Sequence, residues 1–344
     1  MKKFYVLVLL LIISCSQNVY SQNSQTTQLN SNQSLLNDDS LHIYFCGTGV
    51  PNPIRQSVRK ASCLAVMVNN DFMLFDAGEA AIITLAALKL PISSISKIFF
   101  THWHSDHFSG LGQVMNVSWY AGRSKPLDIY GPYGVKDVVN GIIKAYRQDV
   151  LFRSINQKFD PNAAFATTHV VNPHSKELMV YNNNGVTVSA FEVDHAPVYP
   201  ALGYTIHYKG CKIVISGDTR IVASLADNSK NADVLINEAL NTTMYTESKK
   251  PATNDSKSQL AAIESYHSDT IELAKMAHNS NVKNLFLTHL LPSISTKDED
   301  KKQFISGMSQ YYSKPITVTD DGDELVVSSD GSNCMLEFRP INHH

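Results

Sequence analysis

Between Thr101 and His107 the chain reads Thr-His-Trp-His-Ser-Asp-His, which places four metal-ligating side chains, His102, His104, Asp106 and His107, within six residues. The stretch follows directly on ISKIFFTH (95–102), an apolar run rich in aromatic and β-branched residues that predicts a buried strand. A strand that ends in this way must deliver its ligands to a rim where others can meet them. On an extended or turning backbone His102 and His104 project to one side, while Asp106 and His107, in the following turn, face a second position. Zinc takes imidazole nitrogen at ~2.0–2.1 Å and carboxylate oxygen at ~2.0–2.2 Å, so one compact loop suits two neighbouring ions.

The same arrangement recurs down the chain, which argues against a merely polar loop with solvated histidines. VTVSAFEVDH (186–195) ends on His195, CKIVISGD (211–218) on Asp218, and NLFLTH (284–289) on His289, while DVLINEA (233–239) carries Glu238. Earlier, LHIYFCG (41–47) and SCLAVMV (62–68) read as strands, and Asn69-Asn70-Asp71 turns the second of them back into FMLFDAG. Helix formers fill 79–90 up to Pro91, an amphipathic helix is expected from Ser268 to His278, and ITVTDDGDELVV (316–327) reads as a closing hairpin. Strands first, then strands alternating with helices, imply two β-sheets packed face to face with helices outside. The expected fold is thus α/β, a four-layer αββα sandwich.

The length of 344 residues, with 43% hydrophobic, allows one large catalytic domain, taken as 41–342. Lys and Arg number 29 against 31 Asp and Glu, so there is no basic excess and no stable nucleic-acid partner is expected. Lys2-Lys3 before the apolar run Phe4 to Ile13 reads as an export signal within 1–21, too short to span a bilayer. Two processing readings stand: Ile12-Ile13-Ser14-Cys15 has lipobox character, which would leave a lipid anchor at Cys15, and Val19-Tyr20-Ser21 suits ordinary signal peptidase. The expected location is the periplasm or the membrane surface of a bacterium. Residues 22–40, rich in Gln, Asn, Ser and Thr, read as a flexible tether. Cys46, Cys63, Cys211 and Cys334 show no CxxC spacing and read as core thiols, with Cys46 and Cys63, on neighbouring strands, geometrically available as a pair.

HxHxDH after an apolar strand resembles the signature of the metallo-β-lactamase superfamily, and the resemblance extends over roughly residues 41–330. It implies that the sandwich is of the metallo-β-lactamase type, with two Zn²⁺ ions, for which iron or manganese can substitute. His102, His104, His195 and Asp218 would hold one ion, and Asp106, His107, Asp218 and His289 the other. Two metals ~3.5–4 Å apart generate hydroxide near neutral pH, and a bridging hydroxide would attack an anionic ester. Asp106 is the further candidate for orienting or deprotonating that water. Asp218 stands where β-lactam-cleaving members have Cys or Ser, which argues against antibiotic hydrolysis.

GTGVPNP, FDAGE, THWHSDHFSGL, HAPVYPALGY, SGDT, YHSDT and DDGDE run in the order of the ribonuclease Z-like branch. This implies that His267 acts as general acid or oxyanion stabiliser with Glu238 as its partner, although Asn237 stands where the branch has another histidine. The competing reading of His267 is a helix N-terminal residue capped by Ser268. Asp76 either orients a ligand histidine or caps the following helix. Only 218 − 195 = 23 positions separate His195 from Asp218, leaving no room for the long arm of tRNA-processing members. The PNPxR loop and YAGRSKPLDIYGPYG also resemble an exported arylsulfatase-like group of the branch. The expected substrate is therefore a small phosphodiester or aryl sulfate. The alternatives are lactone hydrolysis, tRNA 3′ processing, or metal binding without turnover. Arg55, Arg59 and Arg123 are candidate anion-binding groups or surface charges, and Trp103, Trp119 and Tyr120 a candidate aromatic wall or core.

Overall fold

The structure, a computed structural model, describes residue 36 and residues 38–51, 59–173, 177–248, 254–331 and 333–341. The expected export signal with Cys15, most of the tether, and Arg55 lie outside the described residues.

Two sheets form the centre. The first runs β1 (Leu41–Gly47), β2 (Cys63–Val68), β3 (Asp71–Phe75), β4 (Ile95–Phe99), β5 (Leu127–Gly131) and β6 (Ala166–Val170), and is completed beyond β1 by β14 (Glu324–Ser329) and β15 (Cys334–Arg339). The second contains β7 (Leu178–Asn183), β8 (Val186–His195), β9 (Val198–Tyr208), β10 (Cys211–Ile215), β11 (Val234–Leu240), β12 (Leu285–Leu291) and β13 (Ile316–Val318), in spatial order from one edge to the other. The turn between β2 and β3 has Asn69 and Asn70 at φ 46° and 67°, the left-handed pair that a tight hairpin requires.

Because side chains alternate along a strand, β1 sends Leu41, Ile43 and Phe45 into the space between the sheets, where they join Phe75, Phe99, Tyr204, Ile213 and Phe286. Its other face, with Tyr44 and Cys46, packs under helices α1 (Ala81–Ala87), α2 (Leu111–Tyr120) and α3 (Val135–Gln157). On the far side of the second sheet, α4 (Ala223–Ser229), α5 (Thr270–Asn279) and α6 (Asp298–Phe304) bury Leu225, Leu273, Met276 and Phe304. Helices, sheet, sheet, helices is the expected four-layer order. Strands covered on both faces read as continuous apolar runs, which is why they were visible in the sequence.

Parallel pairing in the core of each sheet decides where the chemistry sits. β3, β4 and β5 are mutually parallel, and so are β10, β11, β12 and β13. β8 and β10 are both antiparallel to β9, so β8 shares their direction. The C-terminal ends of β3, β4, β8, β10, β11 and β12 therefore open on one rim.

Four sequence expectations are corrected. The segment 316–327 is not a hairpin: β13 pairs with β12 in one sheet and β14 with β1 and β15 in the other, so the chain crosses between sheets at 319–323. The reading of the cysteines as core thiols gives way to two disulfides: Cys46 is joined to Cys63 across neighbouring strands, the pair the sequence left available, and Cys211 to Cys334 between the two sheets. Arg59 is no anion receptor. It is buried, pairs with Asp320 at 2.7 Å, and donates to Thr48 Oγ1, Ile294 O and Thr319 O, which pins the crossing loop to the end of β1. Arg123 is likewise consumed by the last turn of α2, donating to Met115 O at 2.8 Å and Ser118 Oγ at 3.0 Å. Trp119 packs in the core against Phe159 and donates to Asp160 O.

Replacing Arg59 by Met removes the donors on which Asp320 Oδ1, Thr48 Oγ1, Ile294 O and Thr319 O rely, and leaves Lys301 as the cation still paired with Asp320. Urea titration should show a loss of unfolding free energy on the order of 3–5 kcal/mol. A change below about 1 kcal/mol would mean that the clamp is dispensable, as for surface ion pairs.

Candidate metal centre

Leaving β4, the chain passes His102 and His104 and enters a single helical turn, Ser105–Phe108, which buries Asp106 and His107. From the facing sheet come His195 at the end of β8, Asp218 just after β10 and His289 within β12. Gly217 has φ +61°, and a Cβ there would lie 2.5 Å from Leu202 O, so only glycine lets the chain turn Asp218 inward. His289 itself has φ +46° at an irregularity of β12, the local strain that aims its ring at the rim.

The seven expected ligand residues meet. Ligand-type atoms of His102, His104, His195 and Asp218 lie within 4.8 Å of one another, and so do those of Asp106, His107 and His289. Asp218 Oδ2 faces both groups: it is 3.3 Å from Nε2 of His107 and of His289, 3.8 Å from Nε2 of His195 and 3.9 Å from Nε2 of His102. Asp106 Oδ2 lies 3.2 Å from His289 Nε2.

Ring orientation is fixed from behind. Asp76 Oδ2 accepts from His107 Nδ1 at 2.7 Å and from the Thr101 hydroxyl at 2.9 Å. Having donated its one proton to Asp76, Thr101 Oγ1 accepts from His102 Nδ1 at 3.0 Å. His195 Nδ1 donates to Tyr266 O at 3.1 Å. In each case Nδ1 carries the proton and Nε2 turns toward the cluster with its lone pair free, the tautomer a metal ligand needs. Asp76 does not cap the following helix, which has no side-chain cap. Thr101 was not singled out in the sequence, because a threonine beside a histidine carries no signal until Asp76 is seen beneath it.

The electrostatics fit a cation. Burial pushes the pKa values of His102, His104 and His195 down, which keeps them neutral as ligands. Burial opposes ionisation of Asp218 and Asp106, but His289 and His107 around Asp218, and the same two around Asp106, hold both below the ordinary carboxylate value. Burial would also strip His107 of its proton, yet Asp218, Asp76 and Asp106 outweigh it and raise its pKa well above that of free imidazole. Three carboxylates thus demand positive charge where the imidazoles converge. His102 Nε2 is buried and has no hydrogen-bond partner, a further mark of a site shaped for a metal ion.

His267 is drawn to the same centre. Its ring stacks 5.7 Å from that of His289, and its Nδ1 lies 3.0 Å from Glu238 Oε1, which also accepts from the backbone N–H of Thr219 and Ser268. Burial disfavours its charge, but Glu238 prevails and raises the pKa. The cap of α5 is Asp269, not Ser268, whose hydroxyl donates to Thr219 O instead. Asn237 is buried and donates to Ser268 Oγ, so it supports the segment that carries His267. Trp103 donates to Tyr133 O, and Tyr120 lies under Arg153, so neither is shown facing the cluster.

Residues 41–249 match the protein family described as "Anti-Pycsar protein Apyc1". The chain belongs to that family. This Apyc1-family protein is also 29% identical, over 265 residues, to the ribonuclease Z of Mycobacterium bovis, an alignment spanning 76% of this chain and 90% of that protein. Among solved structures, the metallo-β-lactamase fold protein YhfI of Bacillus subtilis superposes with a TM-score of 0.59 at 17% identity, covering 84% of this chain and all 100% of that one. Human tRNase Z, short form, gives a TM-score of 0.58 at 24% identity, covering 82% and 98%. The Apyc1-family protein thus has the metallo-β-lactamase fold and is similar in sequence to ribonuclease Z.

Asp76 supports two histidines, His107 directly and His102 through Thr101. Asp76→Asn should therefore lower metal affinity about 10–100-fold in a competition titration with a chromogenic chelator. Unchanged affinity would show that the hydrogen bonds behind the rings are immaterial.

Proposed function

We propose that the protein is a dinuclear metal-dependent hydrolase of small anionic esters, and that its substrate class is a phosphodiester. The observation that carries this reading is the single oxygen of Asp218 set between two groups of ligand-type side chains, with the His267 and Glu238 pair beside them. His102, His104, His195 and Asp218 would hold one ion, and Asp106, His107, His289 and Asp218 the other. Zinc suits this imidazole and carboxylate set, and iron or manganese is chemically compatible with it. When bound, the pair supplies Lewis-acid activation of water and of the ester.

The chain's own residues do the rest. Asp106, buried beside His289, orients the attacking water. Glu238 accepts from Nδ1–H of His267 and favours the imidazolium form of the ring, in which Nε2 also carries a proton that the leaving-group oxygen can take up. A cavity of about 580 Å³ opens beside Asp106 and is lined by Lys60, Glu79, Ser105 and Ser109. With Arg59 committed to the crossing loop, Lys60 is the side chain we assign to peripheral oxygens of the substrate. The 23 positions between His195 and Asp218 are filled largely by β9 and β10, a strand pair with no protruding arm, which favours a small substrate over a tRNA. Aryl sulfates present a similar tetrahedral anion and form the competing substrate class.

Export to an oxidising compartment is part of the same proposal. It is supported by the pairing of Cys46 with Cys63 and Cys211 with Cys334, and by the apolar run behind Lys2-Lys3.

The test is turnover of a chromogenic phosphodiester, an aryl sulfate, a lactone and a β-lactam by the metal-loaded protein. Phosphodiester hydrolysis should dominate, and His267→Ala should slow it by ~10²–10⁴-fold with metal content unchanged. Turnover of the lactone alone, indifferent to His267, would contradict the proposal.

A further inference from the structure

Of the four rings that turn Nε2 toward the cluster, three have Nδ1 bonded from behind: His102 to Thr101, His107 to Asp76 and His195 to Tyr266. His289 is different. Its Nδ1 is fully enclosed and has no protein hydrogen-bond partner, although the residue is only 3% exposed. A second buried atom is in the same condition. Glu238, 1% exposed, accepts three hydrogen bonds on Oε1 and none on Oε2.

Both residues line one cavity of about 20 Å³ between the sheets, directly behind the ligand cluster. Ser62, Thr101, Ser216 and Thr288 line it too. A cavity needs roughly 10–15 Å³ to admit a water molecule, and it holds one only where two to four polar groups converge. This one satisfies both conditions. Leaving a carboxylate oxygen and a ring N–H dry would incur the full desolvation penalty of both groups.

We propose that the cavity is a built site for one water molecule, which accepts from His289 Nδ1–H and donates to Glu238 Oε2. The proposal rests on the reading that His289 offers Nε2 to a metal, since only then does Nδ1 carry the proton. That proton excludes a cation from the cavity and leaves water as the species that can accept on one side and donate on the other. Glu238 thereby becomes a positioning residue for two side chains, His267 through Oε1 and His289 through the water. The His267 pair and the ligand set around Asp106 become one hydrogen-bonded network.

Glu238→Gln tests the link with little change of shape. The three donors on Oε1 demand an acceptor, so the amide oxygen must take that place and the NH₂ must face the cavity. The water would then receive two donors and find no carboxylate. Three observations on the intact protein decide the matter. A crystal structure of the metal-loaded wild type should show one ordered water within ~2.7–3.2 Å of both atoms, and a dry cavity or a direct Glu238 to His289 bond would overturn the proposal. Chelator competition should show Glu238→Gln weakening one metal site about 10-fold, that of Asp106, His107 and His289, while the site of His102, His104 and His195 keeps its affinity. Equal loss at both sites, or at neither, would overturn it. Wild-type protein that binds no metal would overturn the underlying metal reading instead.

Discussion

Everything at the rim depends on one electrostatic constraint: Asp76, Asp106 and Asp218 are buried together where the two sheets meet, and buried carboxylates must be compensated. Five imidazoles surround them, but neutral imidazoles do not cancel their charge. Burial opposes a proton on His107, but Asp218, Asp76 and Asp106 outweigh it and raise the pKa, and the same negative charges would hold a cation. The hydrogen bonds behind His102, His107 and His195 keep each ring in the tautomer that can receive a cation. Asp218 is central because one of its oxygens lies within 3.9 Å of four imidazole nitrogens.

Much of this was legible in the sequence because the same physics shapes both. A strand buried on both faces is a continuous apolar run, and a ligand at its C-terminal end breaks that run abruptly. His195, Asp218 and His289 were visible for that reason, as was the dense loop after β4. The Asn69-Asn70 turn was legible because both residues tolerate positive φ. Less visible were features that depend on where distant segments meet. Nothing near Arg59 announces that its partners are Thr48, Ile294, Thr319 and Asp320, so a buried clamp reads in sequence as a free cation. The crossing between sheets at 319–323 was read as a hairpin because two short apolar runs around Asp-Asp-Gly look alike whether they pair with each other or with separate neighbours. The Cys211 to Cys334 bond spans 123 positions and joins the sheets, a pairing no local spacing encodes.

The corrections narrow the chemistry rather than change it. With Arg59 and Arg123 committed within the fold, the proposed recognition of an anionic substrate would fall to the ligand cluster itself, to Lys60 at the rim of the adjoining cavity and to His267. Glu238 gathers two backbone N–H groups and the His267 ring on one oxygen, and this explains how a glutamate and a histidine 29 positions apart can act as a unit despite Asn237 standing beside them.

The central claim is that Asp218 is shared by two metal ions. Elemental analysis of protein purified with its metals, wild type beside Asp218→Ala, tests it most directly. The account predicts two ions per wild-type chain and loss of metal from both sites in the variant, with the fold retained by circular dichroism. A wild type that holds one ion or none, or a variant that keeps both as tightly, would contradict it.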